Sequence, residues 1–141
     1  MITTTSSLKS YKTPLRYPGG KSRACKKMEP FIPDLRFYDV YYEPFLGGGS
    51  VALHITKKYP KLKIVVNDLY EQLYNFWLQL QVNGDYVHEE LQQLKSRYPD
   101  RGSARGLFLD AKEKLYELEI SDKDRAVCFY IINKCSFSGL T

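Results

Sequence analysis

The chain has 141 residues, of which 43% are hydrophobic and 26% charged, and this length suits one globular domain or part of a larger one. Its three cysteines form no C-x-x-C pair and leave one thiol unpaired in any disulfide scheme, which disfavours a disulfide framework and a zinc site. The N-terminus lacks the apolar region of a signal peptide, and the longest apolar run, 126–132, is too short to span a bilayer. We therefore expect a soluble cytoplasmic protein that binds no metal.

The formal net charge of +5 favours a polyanionic partner. The charge alone is also compatible with a ribosomal protein, with a protein that binds a membrane surface, or with a charge that only keeps the protein soluble.

The N-terminal residues predict an arm, a loop and a short helix. Residues 1–13 are polar and rich in Ser and Thr, which predicts a flexible arm. Prolines and glycines at 14–20 predict a loop, and residues 22–29 a short helix that Pro30 and Pro33 end.

The next segment has the pattern of one βαβ unit. Residues 37–42 are aromatic and β-branched and predict a strand, which leads through three glycines into a predicted helix at 50–59. Residues 63–66 predict a second short strand. We expect the two strands to be parallel and joined by a right-handed crossover.

The C-terminal half has only helical patterns. Apolar residues recur at helical spacing over 69–80, and Asn83-Gly84 is predicted to close that helix. Asp85, Ser103 and Ser121 are each predicted to cap the start of a further helix.

The sequence EPFLGGGS at 43–50 stands at the strand-to-helix junction, with Asp68 at the end of the next strand. Glycines let the backbone turn sharply and approach a ligand, the helix N-terminus beyond them attracts anions, and an aspartate can accept two ribose hydroxyls. A tight turn with no ligand is the alternative for the glycines. Neither G-x-G-x-x-G nor G-x-x-x-x-G-K-[ST] occurs, which disfavours NAD and ATP.

Four motifs in this order resemble those of the DNA adenine methylase family of N6-adenine methyltransferases. They are RYPGGK at 16–21, EPFLGGGSV at 43–51, ND at 67–68 and FYIINKCSFSGL at 129–140. The similarity extends over nearly the whole chain from Pro14.

The resemblance implies an α/β fold, namely a partial Rossmann-like class I methyltransferase fold with a largely helical C-terminal segment. It implies three segments: the arm at 1–13, the S-adenosyl-L-methionine-binding part at 14–74 and a helical, partial target-recognition region at 75–141.

The resemblance also assigns cofactor-binding roles. Lys21 would neutralise the methionine carboxylate, Tyr17 would cover the apolar or sulfonium part, and Asp68 would bind the ribose. Each has a plainer alternative: a packed tyrosine, a solvated lysine and a helix N-cap. The implied cofactor-binding residues are Tyr17, Lys21, Glu43, Phe45, Gly47, Gly48 and Asp68.

Double-stranded DNA is the implied partner. The predicted DNA-binding residues are Arg101, Arg105, Lys134, Phe137 and Ser138. A solvated basic face is the alternative for the arginines. Ser138 departs from the family pattern, which commonly has Asn before Gly-Leu.

The family's catalytic motif is of the Asp-Pro-Pro-Tyr type, and no Pro-Pro pair occurs among the seven prolines of this chain. We therefore assign no catalytic residue here and expect the chain alone to be inactive. His54 and His88 are interpreted as structural or surface residues. We also expect an exposed edge on the 37–42 strand, which a complementing C-terminal chain or a second copy could cover.

The favoured function is that of a site-specific DNA adenine-N6 methyltransferase, as in restriction-modification, represented by its N-terminal part. The first alternative is a non-catalytic DNA-binding or regulatory module derived from such an enzyme. The second is a methyltransferase that acts on RNA or a small molecule.

Overall fold

A computed structural model of the chain describes residues 12–136 and residue 139. The predicted N-terminal arm lies almost entirely outside the described residues, and so do two predicted DNA contacts, Phe137 and Ser138.

The described residues form two compact units. Unit 1 contains residues 12–14 and Gly20–Val66, and unit 2 contains Leu15–Gly19 together with residues 67–136 and 139. The segment limits drawn from the sequence, at residues 13 and 74, stay a prediction.

Unit 1 combines short helices with a small parallel sheet. Its elements are α1 (Cys25–Met28), 3-10 turns at Glu29–Phe31 and Leu35–Phe37, β1 (Val40–Glu43), α2 (Ser50–Lys58) and β2 (Lys63–Val66). Strands β1 and β2 pair in parallel, with Val40 opposite Lys63 and Glu43 opposite Val66. The predicted strand–helix–strand order is thus confirmed, and so is the parallel pairing. Within the described part of the chain, β1 pairs only with β2 and its other edge carries no strand.

The start of β1 differs from the prediction. A strand was expected from Phe37, but Leu35–Phe37 forms a 3-10 turn and β1 begins at Val40. The cause is Asp34, whose side chain caps the turn by accepting a hydrogen bond from the backbone N–H of Arg36 and also pairs with its guanidinium. This local bond competes with the extended conformation that the aromatic pattern favours.

Unit 2 is helical. It contains α3 (Glu71–Val82), α4 (Gly84–Arg97), α5 (Arg101–Lys114) and α6 (Asp122–Cys135). Helix α6 packs against the other three helices and buries residues on all its faces, as expected for a helix at the centre of a core. Within the described ranges, no helix has both the length and the apolar character needed to cross a membrane.

Two predicted helix caps are wrong and one is confirmed. Helix α4 already begins at Gly84, so Asp85 lies in its first turn rather than before it. Asp100, not Ser103, caps α5, because its carboxylate accepts from two backbone N–H groups while Ser103 completes the capping box three residues later. Ser121 caps α6 as predicted, through a hydrogen bond from the backbone N–H of Asp124.

Candidate functional site

The loop between β1 and α2 makes a tight glycine turn. Gly47 and Gly49 have φ of 51° and 69°, a left-handed conformation in which a side chain would be strained. The backbone N–H of Gly49 donates to the carbonyl of Leu46, whose side chain is buried. Phe45 points outward, with 77% of its surface exposed. The loop therefore presents its backbone and one aromatic ring at the carboxyl end of β1.

Glu43 occupies the N-terminal end of α2. Gly49, the N-cap residue, has no side chain to cap the helix, and the Glu43 carboxylate accepts a hydrogen bond from the backbone N–H of Ala52 instead. It also accepts one from the Tyr41 hydroxyl, at 3.4 Å. Burial raises the pKa of Glu43 to about 6, although both hydrogen bonds favour the ionised form. One of the N–H groups expected to face a bound anion is thus already engaged within the chain.

We expect the Glu43 carboxyl group to destabilise unit 1 less as the pH falls from 7 to 5. The pKa of Glu43 in the folded chain, about 6, lies above its ordinary value of 4.5, so the folded state holds this proton more tightly than the unfolded state. Ionisation therefore destabilises the fold above pH 6, and protonation removes that penalty as the pH falls. Relative to Glu43→Gln, the wild type should gain about 1 kcal/mol over this range.

Urea unfolding at pH 7 and pH 5, followed by circular dichroism, checks this. Glu89→Gln is the matched control, because Glu89 is an exposed glutamate on α4 and should leave the pH dependence of the wild type intact. An identical pH dependence in the wild type and Glu43→Gln would show that Glu43 does not titrate in this way.

Lys21 lies in a turn that is fastened to the start of α2. The Lys21 carbonyl accepts from the backbone N–H groups of Ala24 and Cys25, and the Lys21 side chain is exposed. The next residue, Ser22, shares a hydrogen bond of 2.8 Å with the Ser50 hydroxyl, and the Cys25 thiol donates to the Ser50 carbonyl. The structure therefore brings the Lys21 turn beside the first residue of α2, where the glycine loop ends.

The other two predicted cofactor residues, Tyr17 and Asp68, lie in unit 2 and interact with each other. The Asp68 carboxylate accepts a hydrogen bond of 3.1 Å from the backbone N–H of Tyr70, just before α3 begins. Partial burial raises the pKa of the Tyr17 phenol, and the negative charge of Asp68 adds to this. Tyr17 remains 39% exposed, so part of this residue is still accessible to a ligand.

The three predicted DNA contacts that the structure describes lie on two helices, α5 and α6. Arg101 and Arg105 are both exposed on α5 and lie one turn apart, hence on one face. Lys134 is half-buried near the end of α6, with its amine 5.2 Å from the centre of the Tyr130 ring. Burial lowers the pKa of Lys134, and the nearby charge of Arg16 lowers it further.

A cavity of about 830 Å³ lies at the opposite end of the sheet in unit 1. Asp39 and Leu62 line it at the amino ends of β1 and β2, whereas the glycine loop follows the carboxyl end of β1. Two of the basic side chains that line the cavity already form ion pairs, Arg36 with Asp34 and Lys58 with Glu29. Parallel sheets bind ligands at the carboxyl ends of their strands, so the glycine loop is the better candidate site than this cavity.

Sequence reasoning missed three residues that shape the candidate site. Ser22 and Ser50 fasten the Lys21 turn, and Tyr41 donates to Glu43. The sole sequence signal was their position, since Ser22 follows Lys21, Ser50 follows the glycines and Tyr41 precedes Glu43 by two residues on the same strand face.

Residues 17–141 match the D12 class N6 adenine-specific DNA methyltransferase family, and the chain belongs to that family. The resemblance inferred from the four motifs is thereby confirmed. The chain is also similar to the Type II methyltransferase M.MjaIII of Methanocaldococcus jannaschii, with 25% identity over 133 residues. This match covers 89% of the chain but 46% of the relative, so the chain spans about half the length of the curated relative that it matches.

Proposed function

We propose that the chain is the S-adenosylmethionine-binding part, with a partial DNA-recognition part, of a site-specific DNA adenine-N6 methyltransferase. The match of residues 17–141 to the D12 family carries this proposal. The parallel pair β1 and β2, with its glycine turn at the carboxyl end of β1, supports a Rossmann-like arrangement. We place the function in the cytoplasm, where DNA is accessible, and a restriction-modification role is the setting that the Type II relative suggests.

The residues of unit 1 fit the methionine end of the cofactor. The left-handed glycines Gly47 and Gly49 leave room for a ligand to approach the backbone, with Gly48 between them. Because Glu43 already engages one N–H of the α2 N-terminus, the exposed ammonium of Lys21 is the better partner for the methionine carboxylate. Phe45, exposed at the same loop, would cover apolar parts of the cofactor.

The residues of unit 2 fit the nucleoside end. Asp68 would accept hydrogen bonds from the ribose hydroxyls, and its carboxylate is held in place by the N–H of Tyr70. Tyr17, which interacts with Asp68, would place its ring against the apolar or sulfonium portion.

Double-stranded DNA is the proposed partner of unit 2. Arg101 and Arg105 present two guanidinium groups on one helix face, a spacing that suits phosphate contacts. Lys134, Phe137 and Ser138 would contribute a second contact segment. Phosphate contacts of this kind position the duplex without reading its sequence.

When bound, S-adenosylmethionine supplies the methyl group that is transferred to the exocyclic amine of adenine. The Asp-Pro-Pro-Tyr-type motif that the family uses for this step does not occur in these 141 residues, so the proposal gives this chain binding roles only. The rest of the site would come from a C-terminal part, in the same polypeptide or in a complementing chain, and a homo-oligomer is the further arrangement proposed.

Isothermal titration tests the cofactor role through Lys21. The wild type should bind S-adenosylmethionine and its demethylated product, and Lys21→Ala should bind both about tenfold more weakly, because a hydrogen bond to a charged group contributes about 1.5 kcal/mol or more. Lys27→Ala removes another exposed lysine, on α1, and should bind like the wild type.

The outcomes also separate the alternative function. If the wild type gives no heat with either compound but shifts a DNA duplex in a gel, the chain is a DNA-binding module and not a cofactor-binding part. Equal weakening by Lys21→Ala and Lys27→Ala would mean that general charge, and not a specific contact, attracts the cofactor.

A further inference from the structure

One buried amide in unit 2 holds two segments that lie far apart in the sequence. Asn133, on α6, is 1% exposed. Its side-chain oxygen accepts from the backbone N–H of Arg16 at 2.9 Å, and its amino group donates to the carbonyls of Arg16 at 2.7 Å and Gly139 at 3.0 Å. An N–H must face the oxygen and carbonyls must face the amino group, so these partners fix the orientation of the amide.

Two further features hold the same segments together. The Arg16 guanidinium donates to the carbonyls of Lys134 and Ser136, at 3.0 and 3.3 Å, close to the end of α6. Gly139 has a φ of 77°, and a Cβ at this position would lie 2.1 Å from the Arg16 carbonyl oxygen. Only glycine therefore permits this approach, and Asn133 and Gly139 both lie against the backbone of Arg16.

The segments joined here carry different proposed roles. Arg16 immediately precedes Tyr17, the residue that interacts with Asp68 on the proposed cofactor side. In the sequence, the stretch between Asn133 and Gly139 contains three of the five proposed DNA contacts, Lys134, Phe137 and Ser138. A movement of either segment would break hydrogen bonds of a buried amide, which is costly because no water replaces them.

We propose that Asn133 is a positioning residue that couples cofactor binding to DNA binding, by holding Tyr17 and residues 134–136 as one element. This inference rests on the proposed function, since it assumes that both ligands bind. Because the two segments can only shift together, a position favoured by one ligand is also imposed on the site of the other. The second ligand should therefore bind more tightly, and the coupling must be reciprocal.

The test is a comparison of cofactor affinities in the absence and the presence of DNA. S-adenosylhomocysteine is titrated into the chain alone and into the chain saturated with a 20-base-pair duplex of arbitrary sequence, which suffices for phosphate contacts. In the wild type the duplex should tighten binding by about fivefold or more, within the usual range of coupling between sites. In Asn133→Leu the two affinities should become equal.

Two variants separate positioning from general stability. Asn75→Leu removes another amide that donates to a backbone carbonyl, that of Asp122, and should keep the fivefold ratio even if it lowers the unfolding midpoint. Arg16→Lys keeps the charge at an exposed position, but its side chain is one atom shorter than the arginine chain to Nη1, which donates to both carbonyls at the end of α6. It should therefore fold and show a reduced ratio. If Asn133→Leu does not fold, the Arg16→Lys variant still tests the proposal.

Failure of this inference and failure of the proposed function look different. A wild type that binds S-adenosylhomocysteine with the same affinity with and without the duplex overturns the coupling and leaves the proposed cofactor site standing. The coupling role of Asn133 is also overturned if Asn133→Leu and Arg16→Lys both keep the wild-type ratio of affinities with and without the duplex. A wild type that binds no S-adenosylhomocysteine under either condition overturns the proposed function, and the inference with it.

Discussion

Replacing Phe76 by alanine should lower the free energy of unfolding of unit 2 by about 3–5 kcal/mol, the usual cost of deleting a fully buried aromatic ring. Phe76 is 1% exposed on α3 and its ring contacts those of Trp77, Phe129 and Tyr130 at centroid distances of 5.7–5.9 Å. The alanine would leave a cavity at the contact between α3 and α6, where the core of unit 2 lies. Such a loss is a large fraction of the stability of an ordinary domain.

Urea unfolding monitored by the helical signal at 222 nm measures this change. Tyr116→Ala is the matched control, because Tyr116 is an aromatic residue of the same unit with 65% of its surface exposed, and it should change stability by less than about 0.5 kcal/mol. Phe76→Leu, which keeps most of the buried volume, should fall between the two. If Phe76→Ala cost no more than Tyr116→Ala, α3 and α6 would not pack as described.

Replacing Asp68 by asparagine should weaken the binding of S-adenosylhomocysteine by tenfold to a hundredfold. An ionised carboxylate can accept from both ribose hydroxyls, and each hydrogen bond to a charged group contributes about 1.5–3 kcal/mol. The asparagine keeps one acceptor oxygen for the N–H of Tyr70, so the turn before α3 should survive the substitution. The loss would thus report on the ligand and not on the fold.

Calorimetric titration of both forms gives the answer, with the circular dichroism spectrum as a check on folding. Asp85→Asn is the control, because Asp85 is an exposed aspartate in the first turn of α4, in the same unit. We expect its affinity to equal that of the wild type. An Asp68→Asn variant with unaltered affinity would remove Asp68 from the proposed site.

Local patterns predicted the type of each element better than its limits. The strand at Lys63–Val66 lies where the sequence placed it, whereas the strand expected from Phe37 begins at Val40. Aromatic and β-branched residues favour the extended state over the whole stretch, but the Asp34 side chain bonds the backbone two residues on and fixes a turn first. Whether the turn or the strand forms depends on the geometry of this hydrogen bond, and the spacing of apolar residues in the sequence carries no information about it.

The candidate site was predictable where its residues are close in sequence. The glycine turn, its place after β1 and the following helix all came from one stretch of eight residues, and the four ordered motifs indicated the family that the match confirms. The capping of α2 by Glu43 was not predicted, because the acceptor and the Ala52 N–H are brought together only when the strand and the helix have both formed.

The order of strands and helices, the glycine turn and the family could all be read from the order of the amino acids. The elements and the turn depend on residues within a few positions of one another. The family is recognised from short motifs that keep their order along the chain. The tertiary structure alone decided that α6 forms the centre of unit 2 and that Asn133 joins Arg16 and Gly139. An asparagine in an apolar helix indicates a buried hydrogen-bond partner. That partner is Arg16, 117 residues away, and it is brought to Asn133 only by the packing of α6.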